Sequence, residues 1–174
     1  MNYESSYDLY KRLGNLSLYL RQFDKSLEYH DKAIDIANKM DNGYYNKYLS
    51  IHNKAWVYRK KGNHNKALEL YIELLGQKEL FEIDPTLYPS IIDNIAFTKF
   101  EAGDKDFEEI EKLLKEAHKL SDSLEDPITK LGTSIDLSKF YVAQNKNEDA
   151  LKYAQESYQL AKQTSSNDIL LESM

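Results

Sequence analysis

Histidines and carboxylates are the side chains that most often bind metals or transfer protons in proteins. The sequence contains four histidines, His30, His52, His64 and His118. No two of them are four residues apart, the spacing that places two imidazoles on one face of a helix. Cysteine is absent, which excludes disulfides, thiolate ligands and cysteine nucleophiles. We therefore expect no metal site and no cofactor.

Sequence motifs for phosphate binding or nucleophilic catalysis are also missing. The chain has no GxGxxG or Walker-type glycine-rich loop and no GxSxG turn. Carboxylates such as Glu108 and Glu109 are frequent, but runs of charge on helices are usually solvated surface. The protein is therefore not expected to be an enzyme.

The composition excludes several other classes of protein. With 41% hydrophobic and 30% charged residues, the chain has enough apolar side chains to fold. Its net charge of −6 does not favour a phosphate backbone as ligand. No apolar run approaches the roughly 20 residues of a membrane helix, and no signal pattern opens the chain. We expect a cytoplasmic protein that binds neither nucleic acid nor membrane.

A repeat with a period of 42 residues organises the sequence. Short polar side chains suited to capping a helix recur at Asn42, Asp84, Asp126 and Asp168. Proline follows two of them, which is typical of a helix start. A second break falls about twenty residues into each unit, at Arg21, Gly62, Gly103 and Asn145. Each unit is therefore predicted to be a helix, a tight turn and a second helix.

This period divides the chain into four repeats and the beginning of a fifth. The predicted limits are 5–41, 42–83, 84–125 and 126–167, with the start of a fifth first helix at 168–174. Small residues recur midway along the first helices, where paired helices must approach closely, at Gly14, Ala55, Ala96 and Ser138. Stacks of repeats normally end in a polar cap, whereas apolar residues follow Asp168. We infer an excerpt of a longer protein that can self-associate through its open C-terminal end.

The repeats resemble the tetratricopeptide repeat family. The most similar stretches are FDKSLEY at 23–29, GNHNKALELY at 62–71 and NKNEDALKY at 145–153. The resemblance covers residues 7–162 as four units, each of about 40–43 residues against roughly 34 in the family standard. It implies an all-α, right-handed superhelical solenoid of antiparallel helix pairs. It also implies that proteins or peptides bind in a concave groove lined by the first helices.

The resemblance predicts which side chains line this groove. Counted from the small residues, the candidates are Lys11, Asn15, Tyr19, His52, Asn53, Trp56, Arg59, Asp93, Asn94, Phe97, Phe100 and Lys139. Trp56, the only tryptophan, and Phe97 are expected to be apolar anchors. Polar clamps are expected from Lys11, Asn15 and Arg59. The alternative for Trp56 is that a neighbouring helix buries it.

Chaperone-binding members of the family hold a C-terminal carboxylate with lysine and asparagine side chains on successive first helices. Lys11 and Asn15 resemble the first part of that clamp. Trp56 and Asp93 stand where its other parts would be, so chaperone tails are not expected. Three functions remain open: a protein- or peptide-binding scaffold, the input segment of a larger bacterial signalling or transcription-regulatory protein, and a structural spacer or oligomerisation element.

Overall fold

The chain forms helices throughout the computed structural model, which describes residues 2–172 and the surroundings of side chains for residues 2–164. In order, the helices are α1 (Tyr3–Tyr19), α2 (Phe23–Ala37), α3 (Tyr44–Lys60), α4 (His64–Leu75), α5 (Lys78–Ile83), α6 (Leu87–Glu101), α7 (Phe107–Ser123), α8 (Pro127–Ala143) and α9 (Asn147–Glu172). No strand occurs in the described residues, so the predicted all-α class is confirmed. Within the same residues, no helix combines the length and apolar character needed to span a bilayer.

The helices form two compact units, one of residues 1–83 and one of residues 84–174. In the first unit, α1 packs against α2, α2 against α3, and α3 against α4, while the short α5 contacts α3. In the second unit, α6, α7, α8 and α9 pack in succession, and α6 also contacts α8. Each unit therefore contains helix pairs joined by short turns.

The turn inside each helix pair is closed by a residue with positive φ. These residues are Arg21 (φ 57°), Gly62 (84°), Gly103 (84°) and Asn145 (59°). The next N–H donates to a carbonyl in the last helical turn, as from Gln22 to Ser17 at 2.8 Å. This bond satisfies a carbonyl that the helix itself leaves open. The breaks predicted at these four positions are confirmed.

Small residues bring the two helices of a pair close together. The Ser26 hydroxyl on α2 donates to the Gly14 carbonyl on α1 at 2.8 Å. In the second unit, the Ser138 hydroxyl on α8 donates to the Ala150 carbonyl on α9 at 3.0 Å. Both bonds require the hydroxyl of one helix to reach the backbone of its partner. The predicted close approach at Gly14 and Ser138 is therefore present.

The start of α6 differs from its prediction. Asp126 caps α8 as expected, since its Oδ1 accepts from the backbone N–H groups of Ile128 and Thr129 at 3.1 and 3.2 Å. Asp84 instead accepts from the N–H and hydroxyl of Thr86, at 3.1 and 2.6 Å. Asp84 and Thr86 thus form a local turn, and α6 begins after it, at Leu87. The preceding segment forms the unpredicted helix α5.

The structure does not contain the helix start that was predicted for 168–174. Helix α9 continues through Asp168 to Glu172, and residues 173 and 174 lie outside the described part of the chain. The difference has a sequence cause, because Asp168 is followed by isoleucine, whereas Asp126 is followed by Pro127. Without proline or glycine, nothing ends the helix at this point. The limits of the four complete repeats remain predictions.

Candidate functional site

A small pocket in the first unit contains the predicted anchor Trp56. Its volume is about 200 Å³, and its lining residues are Leu18, Arg21, Phe23, Trp56 and Lys60. Leu18 lies near the end of α1, Arg21 lies in the turn, and Phe23 begins α2. Trp56 and Lys60 are one helical turn apart at the end of α3. The pocket therefore lies between one tight helix turn and the last turn of the following first helix.

The backbone of the α1–α2 turn fixes one wall of this pocket. The N–H of Arg21 donates to the Leu18 carbonyl at 2.9 Å, and the positive φ of Arg21 reverses the chain. The side chains of Leu18 and Phe23 consequently lie on either side of the hydrogen-bonded α1–α2 turn. The Lys61 ammonium pairs with the Asp24 carboxylate, which ties the start of α2 to the end of α3. Both walls are thus held by direct bonds.

Trp56 is placed at the surface by the packing of its helix. Ala55 and Val57 have no exposed surface and contribute to the interior. Trp56 lies between them in sequence, so its side chain leaves the helix on a different side from theirs. The Trp56 side chain is 43% exposed. The Lys60 ammonium lies 5.9 Å from the centre of the Trp56 ring. The alternative that a neighbouring helix buries Trp56 therefore does not describe this structure.

The other candidates on α1 differ in their surroundings. Asn15 is exposed, and Tyr19 is 85% exposed. The Lys11 ammonium is paired with Asp8 at 3.2 Å and lies 5.6 Å from the centre of the Tyr7 ring. Hydrogen bonds from Arg12 and Lys11 lower the pKa of the Asp8 carboxyl. Lys11 thus already has an acidic partner within its own helix.

Lys11 lines a separate cleft of about 630 Å³ at the beginning of α1. Its other lining residues are Asn2, Tyr3, Glu4, Tyr7, Asp8, Met40, Asp41, Asn42 and Asn46. None of them lines the Trp56 pocket. The structure therefore places Lys11 and Trp56, which were predicted to act together, in different depressions of the first unit.

His52 on α3 is held in its neutral form. Its Nε2 atom is buried and has no hydrogen-bond partner among the described residues. Its ring meets the Tyr71 ring edge-on, with 5.8 Å between centres. Burial lowers the pKa of His52 to about 4, although a hydrogen bond with Asn53 acts in the opposite direction. His52 is consequently neither a cation nor an accessible base at neutral pH.

Three of the predicted groove residues are buried. Arg59 is 5% exposed, Asp93 is 7% exposed and Phe97 is 4% exposed. The Phe97 ring belongs to the core of the second unit, 5.5 Å from the centre of the Phe100 ring, which itself meets Phe140 at 5.4 Å. The expectation that Phe97 is an open anchor is corrected for this reason: α6 packs against both α7 and α8.

The remaining candidates in the second unit make contacts within that unit. The Asn94 side chain donates to the Ser90 carbonyl at 2.8 Å. Lys139 pairs with Asp136 at 3.1 Å and lies 5.3 Å from the centre of the Phe97 ring. These contacts stabilise α6 and α8.

Sequence reasoning missed four of the five pocket residues. Arg21 was interpreted only as a turn residue, and Leu18, Phe23 and Lys60 were not singled out. A signal for Lys60 was available, since it stands four residues after Trp56 and shares its helix face. The contribution of Leu18 and Phe23 depends on how α1 and α2 meet α3, which helical spacing within one segment does not specify.

Electrostatic clusters in the second unit connect helices to each other. The Glu111 carboxylate on α7 accepts hydrogen bonds from Tyr141 at 2.9 Å, Lys115 at 2.6 Å and Lys146 at 3.0 Å. Burial opposes its ionisation, but these three bonds outweigh burial and lower the pKa of Glu111 to about 2. The Glu111 carboxylate therefore stabilises the packing of α7 against α8 and the turn that follows it.

Among the described residues, no group of three or more histidine, aspartate or glutamate side chains could hold a metal ion.

Comparisons with known proteins concern the fold. Residues 5–78 match the sequence profile of the tetratricopeptide repeat family. Among solved structures, the chain is similar to a Rap protein complexed with competence and sporulation factor, at 17% identity and a TM-score of 0.77 over 99% of this chain. It is also similar to the apo form of RapI, at 16% identity and a TM-score of 0.70 over 97% of this chain.

A third similar structure contains the nearly identical TPR-like repeats of a kinesin light chain from Podosopora anserina. The identity is 18% and the TM-score 0.56, over 91% of this chain and 76% of that one. No curated protein matches the sequence. The chain spans 46% and 60% of the lengths of the two Rap structures. At these identities the likeness establishes the fold, and the predicted solenoid class of helix pairs is confirmed.

Proposed function

Because residues 5–78 match the sequence profile of the tetratricopeptide repeat family, we propose that this protein is a non-catalytic scaffold that binds a protein or peptide partner. Its contact site is the pocket of Leu18, Arg21, Phe23, Trp56 and Lys60, called the Trp56 pocket below. The observation that carries the proposal is the half-exposed Trp56 ring in the wall of that pocket. Tryptophan and arginine are the side chains that most often dominate binding energy at protein interfaces.

The size of the pocket supports a peptide side chain as its occupant. Sites for small-molecule ligands usually measure roughly 300–1,000 Å³, whereas this pocket measures about 200 Å³. It has room for one apolar side chain, while the rest of a partner lies on the surrounding surface. The half-exposed ring would become covered on binding, which removes apolar surface from water.

Replacing Trp56 with alanine should weaken partner binding by about 2 kcal/mol, or roughly 30-fold in Kd, because the main apolar wall is lost. Ligands are selected from a random peptide display library against the wild-type chain, and their affinities are measured by calorimetry. Trp56 is the only tryptophan, so its emission reports directly on the pocket. A blue shift is expected when a selected peptide binds.

Tyr158→Ala is the matched control, because Tyr158 is an exposed aromatic residue (66%) on α9, outside the pocket. Circular dichroism verifies that both variants are folded. The control should bind as the wild type does. Selected peptides that leave Trp56 emission unchanged and bind Trp56→Ala with wild-type affinity would exclude this pocket as the site.

A second candidate is the input segment of a larger regulatory protein. It is favoured by the similarity to a Rap protein complexed with competence and sporulation factor, of which this chain spans 46%. In that case the Trp56 pocket would receive the signal and a further domain would respond to it. Sequencing the complete gene tests this candidate, since a reading frame that ends shortly after Met174 would contradict it.

A further inference from the structure

The surface around the Trp56 pocket is rich in positive charge. Arg21, Lys25, Lys60 and Lys61 are all exposed in the segments 18–25 and 56–61. Asp24 is the single carboxylate in these two segments, and it is already paired with Lys61. The complete chain has a net charge of −6, so this local excess of cations runs against the overall balance.

Helix ends do not neutralise this excess. The C-terminal ends of α1 and α3 lie at the pocket, and each carries about half a negative charge from its open carbonyls. Two such ends offset roughly one cation, so the two exposed cations Arg21 and Lys25 together still leave positive charge beside the pocket. Two of the carbonyls at the end of α1 already accept hydrogen bonds, from the N–H groups of Arg21 and Gln22, which reduces the negative charge at this helix end.

Two cations stand directly in the pocket wall, next to its apolar residues. Arg21 and Lys60 are lining residues, together with Leu18, Phe23 and Trp56. Arginine binds carboxylates with two parallel hydrogen bonds, so a carboxylate beside the pocket would find a directional partner. The Lys60 ammonium lies 5.9 Å from the centre of the Trp56 ring, which adds a cation to the aromatic wall of the pocket.

We propose that the partner of the Trp56 pocket is an acidic peptide segment, whose apolar side chain enters the pocket while flanking carboxylates pair with Arg21 and are attracted by the exposed Lys25. This inference rests on the proposed function, because it specifies the occupant of the same site. The apolar side chain supplies affinity by burial against Leu18, Phe23 and Trp56. The carboxylates supply selectivity and fast, salt-dependent association.

The test uses a series of synthetic peptides of equal length with the full chain. The first has a central phenylalanine flanked by glutamates, and the others replace the glutamates with glutamines, the glutamates with lysines, or the phenylalanine with alanine. Binding is followed by Trp56 emission and calorimetry. The acidic phenylalanine peptide should bind at least tenfold more tightly than each of the others. Its advantage over the glutamine peptide should shrink between 50 and 500 mM NaCl, because salt screens exposed charges.

Arg21→Glu should reverse the preference, weakening the acidic peptide at least tenfold and strengthening the lysine peptide. The substitution suits the backbone, since Glu125 occupies a comparable left-handed position with φ 53°. Arg21→Asn removes the charge and keeps a residue type that tolerates positive φ, so it should give an intermediate loss. Lys39→Glu is the charge-matched control on an exposed residue outside the pocket, and it should leave the order of affinities unchanged.

The outcomes separate this inference from the proposed function. Equal binding of the acidic and glutamine peptides, with both lost in Trp56→Ala, would overturn the acidic partner and leave the pocket as a peptide site. Tighter binding of the alanine peptide than of the glutamine peptide, unchanged in Trp56→Ala, would indicate charge attraction alone and overturn the inference. If library selection gives no peptide that depends on Trp56, the proposed function itself fails.

Discussion

Phe140→Ala is expected to lower the free energy of unfolding by about 3–5 kcal/mol, the usual cost of deleting a fully buried aromatic ring. Phe140 on α8 has no exposed surface. Its ring centre lies 5.4 Å from that of Phe100 and 5.6 Å from that of Tyr141, in edge-to-face arrangements. Truncation would leave a cavity between α6, α7 and α8. Since domains are stable by only about 5–15 kcal/mol, the loss would be a large fraction of the total.

Urea denaturation followed by circular dichroism measures this effect. Phe107→Ala is the matched control, because Phe107 contacts the same ring at 6.3 Å but is 38% exposed. The control removes the same atoms from a position that water already reaches, so its cost should be less than half as large. If the two variants were equally destabilised, the Phe140 cluster would not be the core of the second unit.

Local sequence signals predicted the turns because each signal acts on its own backbone. Gly62 and Gly103 take the left-handed φ that glycine allows, and the hydrogen bonds of the turn follow from that conformation. Asp126 followed by Pro127 likewise predicted a helix start, because the carboxylate and the missing N–H act within one turn. These features need no knowledge of the partner helices.

Signals that compete within a segment were less informative. Asp84 and Pro85 have the same pattern as Asp126 and Pro127, but Asp84 Oδ1 accepts from both the N–H and the hydroxyl of Thr86, which closes a local turn. The helix start consequently moves to Leu87 and makes room for α5. A residue pattern that marks a cap therefore predicts the location of a break more reliably than the residue at which the helix begins.

The candidate site depends on contacts between helices, which is why it was predicted only in part. Trp56 and Phe97 each follow the small residue of their first helix, Ala55 and Ala96, so the repeat makes them equivalent. In the structure Trp56 is 43% exposed, whereas Phe97 is 4% exposed and packs in an aromatic core. Phe97 packs against Phe100, one turn further on, and α6 packs against both α7 and α8. The repeat specifies the direction of a side chain, and its neighbours decide whether water reaches it.

His30 should make the stability of the protein sensitive to mild acid. The residue has no exposed surface, and neither ring nitrogen has a hydrogen-bond partner among the described residues. Its ring packs on Gly14, where an added Cβ would lie 2.7 Å from the imidazole. Burial lowers the pKa of His30 from 6.5 to about 4; the nearby Asp31 carboxylate opposes this shift and the Lys54 ammonium adds to it.

Because the pKa of His30 is lowered in the folded state, the protein has its full stability above pH 6.5, where the imidazole is neutral in both the folded and the unfolded chain. Below that pH the unfolded chain takes up a proton that the folded chain resists. Stability is therefore lost as the pH falls from 6.5 towards 4, by about 2 kcal/mol at pH 5 from this residue. His52, whose pKa burial also lowers to about 4, contributes over the same window.

His30→Leu should remove the His30 part of this loss and be at least as stable as the wild type at pH 8. Leucine removes two buried ring nitrogens that have no hydrogen-bond partner among the described residues, and replaces them with apolar atoms. The measurement is the free energy of urea unfolding at several pH values between 8 and 5, above the range in which most carboxylates titrate. His30→Leu combined with His52→Leu should flatten the profile further, because both buried imidazoles are then absent. A single variant that kept the full wild-type slope between pH 7 and 5 would mean that the folded protein accepts a proton on His30, and hence that the Gly14–His30 contact opens more easily than its packing implies.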